Sequence, residues 1–434
     1  MENSKVSGDN VRIWLVEISD FLPKIDGDNR LYRAGMLAKA MVKAGHEVLW
    51  WSSTFNHQLR KQRFNISTTI EIEKNYRLRL LYGPGYGRSI SFGRWRHNRA
   101  VARGFAREIA EIPINELPDL IYACLPTLEV SEQAVLFGVR HGIPVVVDIR
   151  DRWPDIYLSP LPRFLDPIVR TILKTEFSRV RRIFKKATAI TGVSEKNLEW
   201  GLGLARRKAD PKDKWFPLGF SVDSNGKSGM SKSNPKEIMN KYDIGSDPFV
   251  VTFVGTFSAA FNLKTVINVA QNLSEAGDSR IKFVIVGDGV QTSSLRKLLI
   301  GIKNIVLTGW LDKSSIDEIL KVSYVGLAPY SCGGLITLPN KPFEYMAASL
   351  PILSSLEGEL QTIIEQENVG LQYNGSDPTD LKDKIMWFLS HPEETDAMGQ
   401  RAKALFEKKY NADIVYANLV KHLEKIANEG VSNI

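Results

Sequence analysis

The sequence predicts an α/β protein made of two domains, each with a parallel sheet whose strands alternate with helices. The first observation is length, because 434 residues exceed what one hydrophobic core usually holds. The second is that short apolar runs alternate with longer amphipathic runs, and this alternation starts twice, near residues 11 and 248. The third is the stretch 224–235, which is rich in serine, glycine and lysine and poor in apolar residues, as a surface linker is. We place the domain boundary near Asp223.

Composition indicates a globular protein with an anionic partner. With 43% hydrophobic and 24% charged residues, the chain is typical of soluble globular proteins. No apolar run approaches the roughly 18 residues of a membrane span, and the first ten residues are polar, so we expect neither a transmembrane helix nor a signal peptide. Two distant cysteines, Cys124 and Cys332, favour a reducing cytoplasm. The net charge of +8 favours a phospholipid surface, a lipid diphosphate or nucleic acid as partner.

In the first half, the order of elements predicts a βαβ unit followed by further strands and helices. We expect a strand at 11–16, an amphipathic helix at 31–44 that ends at Gly45, and a second strand at 45–51. The loop at 20–29 then lies at the carboxyl end of the first strand, where open α/β sheets bind ligands. The later elements are predicted as a strand at 119–123, a helix at 128–141, and strands at 143–149 and 187–194.

Two basic regions also lie in this half. Six arginines between residues 88 and 107 have no acidic residue among them, and the run 164–187 interleaves cations with apolar residues at helical spacing. This pattern is typical of a peripheral membrane face or a cradle for a lipid-linked diphosphate. A core-facing helix with a solvated basic side fits it equally well. Nucleic-acid binding is weaker, because no recognised module accompanies the charge.

The second half repeats the alternation. We expect a strand at 248–255, a loop at 256–262 and a helix at 263–272, then strands at 281–286, 304–307 and 324–329. The strand at 281–286 runs into Gly287-Asp288-Gly289, a turn that needs no ligand to explain it. The segment 404–426 is helical in pattern.

The stretch from Ser331 to Leu353 is the strongest functional signal. Glycines 333 and 334 precede Pro339-Asn340-Lys341-Pro342-Phe343-Glu344-Tyr345, which predicts a loop that enters a helix. Free backbone N–H groups there favour an anion, and Lys341 adds a full positive charge. Glu344 lies about one turn later and can accept hydrogen bonds from sugar hydroxyls. A phosphate site beside a hydroxyl site suits a nucleotide sugar. An ordinary loop-to-helix junction without a ligand can have the same sequence pattern.

This spelling, Pro-Asn-Lys-x-Phe-Glu-Tyr-Met-Ala before an apolar strand, resembles the donor-site signature of glycosyltransferase family 4. The resemblance extends over the chain and implies a retaining enzyme of GT-B fold, in which two Rossmann-like domains face each other across a cleft. It implies an acceptor-binding domain at 1–222 and a donor-binding domain at 223–410, with a final helix at about 411–434 that crosses back to the first domain. Arg150-Asp151-Arg152-Trp153-Pro154 resembles the branch that contains fucosamine transferases of O-antigen and capsule biosynthesis.

The resemblance also implies site residues. Arg150, Lys341 and Glu344 are the implied catalytic residues, with Arg150 in the place of a histidine found in many relatives. The acceptor side is implied at Gly27, Asp28, Arg150 and Arg152. The donor side is implied at Gly255, Thr256, Lys264, Gly287, Trp310, Leu311, Gly333, Gly334, Leu335, Ile336, Thr337, Lys341 and Glu344.

The chain departs from the family pattern at several of these positions. Thr256 replaces an arginine that neutralises the donor diphosphate, and Lys264 is the candidate substitute. Ile336 replaces the first of two glutamates that flank the donor sugar, which suits a deoxy or N-acetylated sugar. Gly27-Asp28 replaces a glycine pair in the first loop, and Leu218 replaces an asparagine near the domain boundary.

Metal and cofactor chemistry is not expected. Asp26-Gly27-Asp28 spells an Asp-x-Asp metal motif but lies in the first-domain loop, and six histidines without close Cys/His spacing disfavour zinc. We therefore expect metal-independent transfer from a UDP-sugar to a lipid-linked diphosphate glycan, with no cofactor, in the cytoplasm at the inner face of an anionic membrane. A nucleotide-sugar epimerase of the same architecture and an inactive sugar-nucleotide-binding assembly partner are the alternatives.

Overall fold

The computed structural model describes residues 10–27, 31–88, 91–158, 162–222, 235–245 and 248–431. The chain forms two compact units. Unit 1 consists of Met1–Leu218 together with Asp413–Ile434, and unit 2 consists of Gly219–Ala412. The boundary that we placed near Asp223 lies outside the described residues.

Unit 1 is built on a mostly parallel sheet. Eight of its described strands pair in the order β10-β9-β8-β7-β1-β2-β6-β5, and only the edge strand β5 is antiparallel to its neighbour. The strands β3 and β4 form a separate two-residue hairpin. The bounds are β1 Arg12–Val16, β2 Glu47–Ser53, β3 Phe55–Asn56, β4 Lys61–Gln62, β5 Thr68–Glu73, β6 Tyr76–Leu81, β7 Leu120–Leu125, β8 Val145–Ile149, β9 Ala189–Gly192 and β10 Lys214–Trp215.

The helices of unit 1 connect these strands, as the predicted alternation requires. Their bounds are α1 Arg33–Lys43, α2 Phe92–Ala110, α3 Leu128–His141, α4 Asp166–Ile172, α5 Lys174–Lys186 and α6 Glu195–Ala205. Because helices cover the central strands, β7 and β8 are buried along their whole length and consist of apolar residues apart from Asp148. Aromatic rings fill the space between the sheet and α2 and α3: Trp14 stacks on Phe137, and Trp51 meets Phe105 edge to face.

A buried ion pair joins α1 to β8. Arg33 donates two hydrogen bonds to Asp148, at 2.8 and 2.9 Å, and neither side chain is exposed to solvent. Thr191 donates a third to the same carboxylate, and Arg33 also donates to the carbonyl oxygens of Phe216 and Pro217. The pair is therefore fully hydrogen-bonded, which is the condition for a buried charge pair to be tolerated.

The chain returns to unit 1 at its C-terminus. The last helix is α15, Ala412–Val431. It packs on residues from the start of the chain. His46 and Glu424 approach to 2.9 Å, and Tyr416 donates to the carbonyl oxygen of Leu218. The predicted return of the C-terminal helix to the first domain is thus part of the observed fold.

Unit 2 contains a second parallel sheet. Six described strands pair in the order β13-β12-β11-β14-β15-β16. Their bounds are β11 Phe249–Val254, β12 Ile281–Val286, β13 Ile305–Gly309, β14 Val325–Ala328, β15 Ile352–Ser354 and β16 Gly370–Gln372. The helices are α7 Pro235–Lys241, α8 Leu263–Glu275, α9 Thr292–Leu298, α10 Lys313–Lys321, α11 Lys341–Ala347, α12 Glu359–Glu367, α13 Pro378–Ser390 and α14 Pro392–Leu405.

Two segments that the pattern predicts as continuous helices are broken. The segment 164–187 consists of a 3-10 turn, then α4, then α5, with the break at Leu173. The segment 404–426 is interrupted by a π-helical turn and by Asn411, which is extended. The backbone there pairs with Phe220 on both sides, since Phe220 donates to the carbonyl oxygen of Tyr410 and accepts from the N–H of Ala412. These hydrogen bonds replace those that a continuous helix would form.

Within the described part of the chain, no helix is long and apolar enough to cross a bilayer. Both cysteines are free thiols, with Cys124 buried and Cys332 exposed.

Candidate functional site

The predicted donor residues of unit 2 gather at the carboxyl ends of its strands. Successive loops there are joined by backbone hydrogen bonds of 2.9 Å, from Gly255 to the carbonyl oxygen of Val286 and from Gly287 to that of Gly309. Ser331, at the start of the glycine-containing loop, donates to Ala260 at the same distance. The structure therefore brings one group of predicted residues to one edge of the sheet: Gly255, Thr256, Gly287, Trp310, Leu311, Gly333, Gly334, Leu335, Ile336 and Thr337.

The glycines after β12 have a packing role of their own. Gly287 has a φ of 139°, and a Cβ placed there would lie 1.8 Å from the carbonyl oxygen of Gly255. A Cβ on Gly289 would lie 2.4 Å from the carbonyl oxygen of Phe257. Both positions require glycine because two loops approach closely. Close packing of the two loops thus explains the Gly-Asp-Gly turn without a ligand, which agrees with the interpretation of its sequence.

Helix α11 is anchored to the sheet beneath it. The Tyr345 hydroxyl accepts a hydrogen bond from the N–H of Val254 and donates to the carbonyl oxygen of Leu327, both at 3.0 Å. Gly326 makes room for this ring, because a Cβ there would lie 2.3 Å from it. Phe343 stacks on Tyr410 at 4.4 Å between centroids. The sequence Phe-Glu-Tyr therefore buries two aromatic rings and fixes the direction of the helix.

Lys341 and Glu344 form an ion pair on this helix. The Lys341 Nζ donates to Glu344 Oε2 at 2.7 Å. The Glu344 side chain is 7% exposed and that of Lys341 is 31% exposed, so the cation is the member that faces solvent. The Oδ1 atom of Asn340, one residue before the helix, is buried and has no hydrogen-bond partner among the described residues. One cation, one oriented carboxylate and one unused acceptor thus lie within five consecutive residues.

Other predicted donor residues have side chains in contact with solvent. Trp310 is 76% exposed and directly follows β13, and Ile336 is 38% exposed. Thr256 and Lys264 are exposed as well, with Lys264 at the second residue of α8. The Asn262 side chain accepts a hydrogen bond from the backbone N–H of Thr265 and so caps this helix.

In unit 1, Arg150 lies at the carboxyl end of β8 between two carboxylates. Its guanidinium contacts Asp20 at 2.8 Å and Glu17 at 3.5 Å. Burial and the neighbouring Asp20 raise the pKa of Glu17 to about 7. Burial lowers the pKa of Arg150, but Asp20 and Glu17 raise it by more, so it stays charged. The positive charge that we predicted for catalysis is therefore balanced within unit 1 by an acidic pair that the sequence reading missed. Glu17 and Asp20 directly follow an apolar strand, which is the signal that could have found them.

The other predicted acceptor residues are placed as follows. Gly27 has a φ of 72°, whereas Asp28 lies outside the described residues. Arg152 donates to the Asn197 side chain at 3.0 Å. The Asp26 carboxylate of the Asp-x-Asp spelling accepts hydrogen bonds from Arg63, Asn56 and the N–H of Leu22. Burial opposes ionisation of Asp26, but these hydrogen bonds, led by that from Arg63, hold its pKa below the usual value.

A histidine and tyrosine cluster that the sequence reading missed lies in unit 1. His57 is hydrogen-bonded to the Tyr86 hydroxyl, and the Arg94 guanidinium lies 5.9 Å from the Tyr86 ring. Burial, followed by the charges of Arg94 and Arg60, lowers the pKa of His57 to about 4. His97 accepts a hydrogen bond from the N–H of Gly85 on Nδ1, which requires a neutral ring, and its pKa is about 4 because of burial and Arg94. Single, widely spaced residues gave no motif for this cluster.

Among the residues that the structure describes, possible metal ligands are not grouped. No set of three or more His, Cys, Asp or Glu side chains lies close enough to hold an ion within the described ranges.

Comparisons with known proteins show similarity to glycosyltransferases. Residues 234–405 match the family Glycosyl transferases group 1. An uncharacterised glycosyltransferase of Methanocaldococcus jannaschii is 25% identical over 198 residues, which cover 44% of this chain and 52% of that protein. The match thus spans about half the length of this curated relative. Lys341 and Glu344 lie within the residues that match the Glycosyl transferases group 1 family.

Solved glycosyltransferases share the fold at low sequence identity. Anabaena HepE, solved in complex with UDP, has a TM-score of 0.66 and 13% identity, with 98% of this chain and 100% of that chain covered. WaaG, a glycosyltransferase involved in lipopolysaccharide biosynthesis, has a TM-score of 0.62 and 13% identity, with 94% and 99% covered. These likenesses confirm the predicted two-domain GT-B fold.

Proposed function

We propose that this protein is a retaining glycosyltransferase that moves a sugar from a UDP-sugar to a lipid-linked glycan in cell-surface polysaccharide biosynthesis. The observation that carries the proposal is the Lys341–Glu344 pair at the carboxyl edge of a glycosyl transferases group 1 domain. Its cation faces solvent, and its carboxylate is held in one direction by the anchored helix.

The pair suits the two ends of a ribosyl diphosphate. Lys341 provides a charge for the diphosphate, and charge-assisted hydrogen bonds are stronger than neutral ones. Glu344 accepts hydrogen bonds from ribose hydroxyls once Lys341 turns to the phosphate. HepE shares the fold and was solved in complex with UDP, which supports uridine as the base. Ile336 offers an apolar side chain where relatives have a glutamate, which favours a deoxy or N-acetylated sugar.

The transfer needs no protein nucleophile in the front-face mechanism that the family resemblance implies. The departing UDP phosphate accepts the proton of the acceptor hydroxyl while the new glycosidic bond forms on the same face. Lys341 and the backbone N–H groups of the loop after β11 stabilise the developing phosphate charge. Arg150 contributes only after it exchanges Asp20 or Glu17 for a phosphate, since both contact it in unit 1. No metal or cofactor is part of the proposal.

The acceptor side is the less specific part. We assign it to the loops at the carboxyl edge of the unit 1 sheet that contain Gly27, Arg150 and Arg152, and on sequence grounds alone to Asp28. A lipid-linked diphosphate glycan fits the basic character of this half of the chain. The polysaccharide role is supported by the resemblance to fucosamine transferases and by the fold shared with WaaG. Such an acceptor places the enzyme at the cytoplasmic face of a membrane, in peripheral contact with it.

Ligand-dependent stability tests the donor assignment. We expect UDP and UDP-sugars to raise the melting temperature of the full chain, because a ligand that binds only the native state stabilises it by mass action. GDP- and dTDP-sugars are the comparison ligands. Stabilisation by GDP-sugars alone would overturn the choice of nucleotide.

Turnover tests the reaction. UDP should be released from the stabilising UDP-sugar only when a lipid-linked glycan fraction is added. Isomerised sugar in the absence of acceptor would favour an epimerase. Binding of the UDP-sugar without release of UDP, whichever acceptor is added, would favour the inactive assembly partner. The specific observation behind this alternative is Thr256, which replaces the arginine that neutralises the donor diphosphate in relatives.

A further inference from the structure

We propose that unit 1 docks on an anionic lipid bilayer through Phe92, Trp95, Phe164, Ile168 and Ile172, which we call the lipid-facing surface. This inference rests on the membrane contact included in the proposed function, and it gives that contact residues and a lipid chemistry.

An apolar stripe on and before α4 is turned towards solvent. Phe164, Ile168 and Ile172 are four residues apart and are 77%, 58% and 72% exposed. Residues at this spacing lie along one face of a helix. The neighbouring α5 has the opposite arrangement, because its apolar residues Val180, Ile183 and Phe184 are buried and all of its cations except Arg179 are exposed. The basic amphipathic pattern of 164–187 is therefore divided between α5, which has a buried apolar face, and α4, which has no buried residue.

An aromatic pair at the start of α2 is exposed in the same way. Phe92 is 73% exposed and Trp95 is 40% exposed, and their rings stack at 5.1 Å between centroids. The Arg99 guanidinium lies over the Trp95 ring at 4.5 Å. Tryptophan is enriched at membrane interfaces, and arginine can hold its charge at headgroup level while its stem covers apolar surface.

The stripe and the aromatic pair flank one short segment. Arg94 of α2 stacks on Trp153 at 4.7 Å, and Arg170 of α4 forms an ion pair with Asp155 at 3.1 Å. Ile156, which directly follows Asp155, is 37% exposed. The segment 153–157 follows the carboxyl end of β8, where Arg150 lies. The lipid-facing surface thus adjoins the edge of the sheet to which we assign the acceptor.

The positive charge near this surface favours an anionic bilayer over a second copy of this chain as its partner. The segment 163–186 contains eight lysines and arginines and two acidic residues. Its exposed cations include Lys174, Arg181, Lys185 and Lys186. A second copy of this chain would bring the same positive charge, which opposes self-association through this surface. An anionic bilayer has the opposite charge and an apolar interior, so it matches both properties.

Co-sedimentation with vesicles tests the surface without any sugar nucleotide, so its outcome is independent of the transferase assignment. The full chain is mixed with vesicles of phosphatidylcholine and phosphatidylglycerol in a ratio of about two to one, and with phosphatidylcholine alone. We expect binding to the anionic vesicles that weakens at high salt. The double variant Ile168→Glu/Ile172→Glu should lower the partition coefficient by about tenfold or more, because it replaces apolar contacts by negative charges.

The matched control is Ile66→Glu/Ile114→Glu, which makes the same change at two unit 1 positions that are 72% and 85% exposed but lie outside the surface. It adds the same charge and should keep most of the binding. Far-UV circular dichroism and melting temperatures verify that both variants fold. An equal loss in the control, unchanged binding of Ile168→Glu/Ile172→Glu, or no vesicle binding by the wild type would overturn the proposal. A concentration-dependent dimer that only the stripe variant abolishes would identify a second copy as the occupant instead.

Discussion

Replacing Lys341 by glutamine should weaken UDP binding strongly and leave stability almost unchanged. Lys341 is bonded to the buried Glu344, so the substitution must keep a donor for this carboxylate, and glutamine does. An i,i+3 ion pair on a helix contributes about 0.2–0.5 kcal/mol, so the melting temperature should barely move. A hydrogen bond to a charged group contributes about 1.5–3 kcal/mol. At about 1.4 kcal/mol per tenfold change in Kd, this is a loss of about 10- to 150-fold in UDP affinity.

Calorimetric titration of the wild type and Lys341→Gln with UDP measures this loss. Uridine serves as a second ligand, because it lacks the phosphates and should bind both proteins equally. Lys384→Gln is the control variant, since Lys384 pairs with Asp380 on another helix of unit 2 and has a similar side-chain exposure of 38%. A change in UDP affinity of less than about threefold, or an equal loss for uridine, would refute the placement of Lys341 at the diphosphate.

Three further predictions concern stability. Arg33→Met should destabilise unit 1 by about 3–5 kcal/mol in urea unfolding, because it leaves the Asp148 carboxylate buried and unpaired, and adding Asp148→Leu should recover part of the loss. Gly287→Ala should cost at least about 1–3 kcal/mol from backbone strain, whereas Gly203→Ala, whose Cβ would meet nothing within 4 Å, should not destabilise. The native pKa of His97 is about 4 against 6.5 for the free side chain, so the unfolded state binds the proton more tightly and stability should fall by up to about 3 kcal/mol as the pH drops from 6.5 to 4. His97→Gln should flatten this slope, and an unchanged slope would contradict the assignment.

The sequence predicted most of the fold because period and order are local signals. The helix at 128–141 and the strand at 281–286 have the predicted bounds, since apolar runs and glycine or proline boundaries determine both. The breaks at Leu173 and Asn411 could not be predicted from period. Asn411 is extended because Phe220, which is distant in sequence, pairs with the backbone on either side of it. The helical periodicity of 404–426 contains no information about a partner outside that segment.

The candidate site also has a part that is local in sequence and a part that depends on long-range contacts. Lys341 and Glu344 could be found from sequence because they are three residues apart and belong to one motif. The contact of Arg150 with Glu17 and Asp20 could not be predicted, because strands that lie more than a hundred residues apart in sequence bring these side chains together. From the sequence we predicted a catalytic positive charge at Arg150, and in the structure two carboxylates lie beside it.

The balance of charge around Arg150 changes where the diphosphate must find its positive partner. A guanidinium between Asp20 and Glu17 presents little net charge. Burial, and then the charge of Asp20, raise the pKa of Glu17 to about 7, so a second carboxylate charge is already unfavourable there. A departing UDP would add further negative charge, so it would be stabilised there only if Glu17 were protonated or displaced. Lys341 has one carboxylate partner rather than two, and its side chain is 31% exposed, so its ammonium group can turn to the phosphate while Glu344 stays in place for ribose hydroxyls. For this reason the donor assignment rests on unit 2 alone, and it would survive the loss of any role for Arg150.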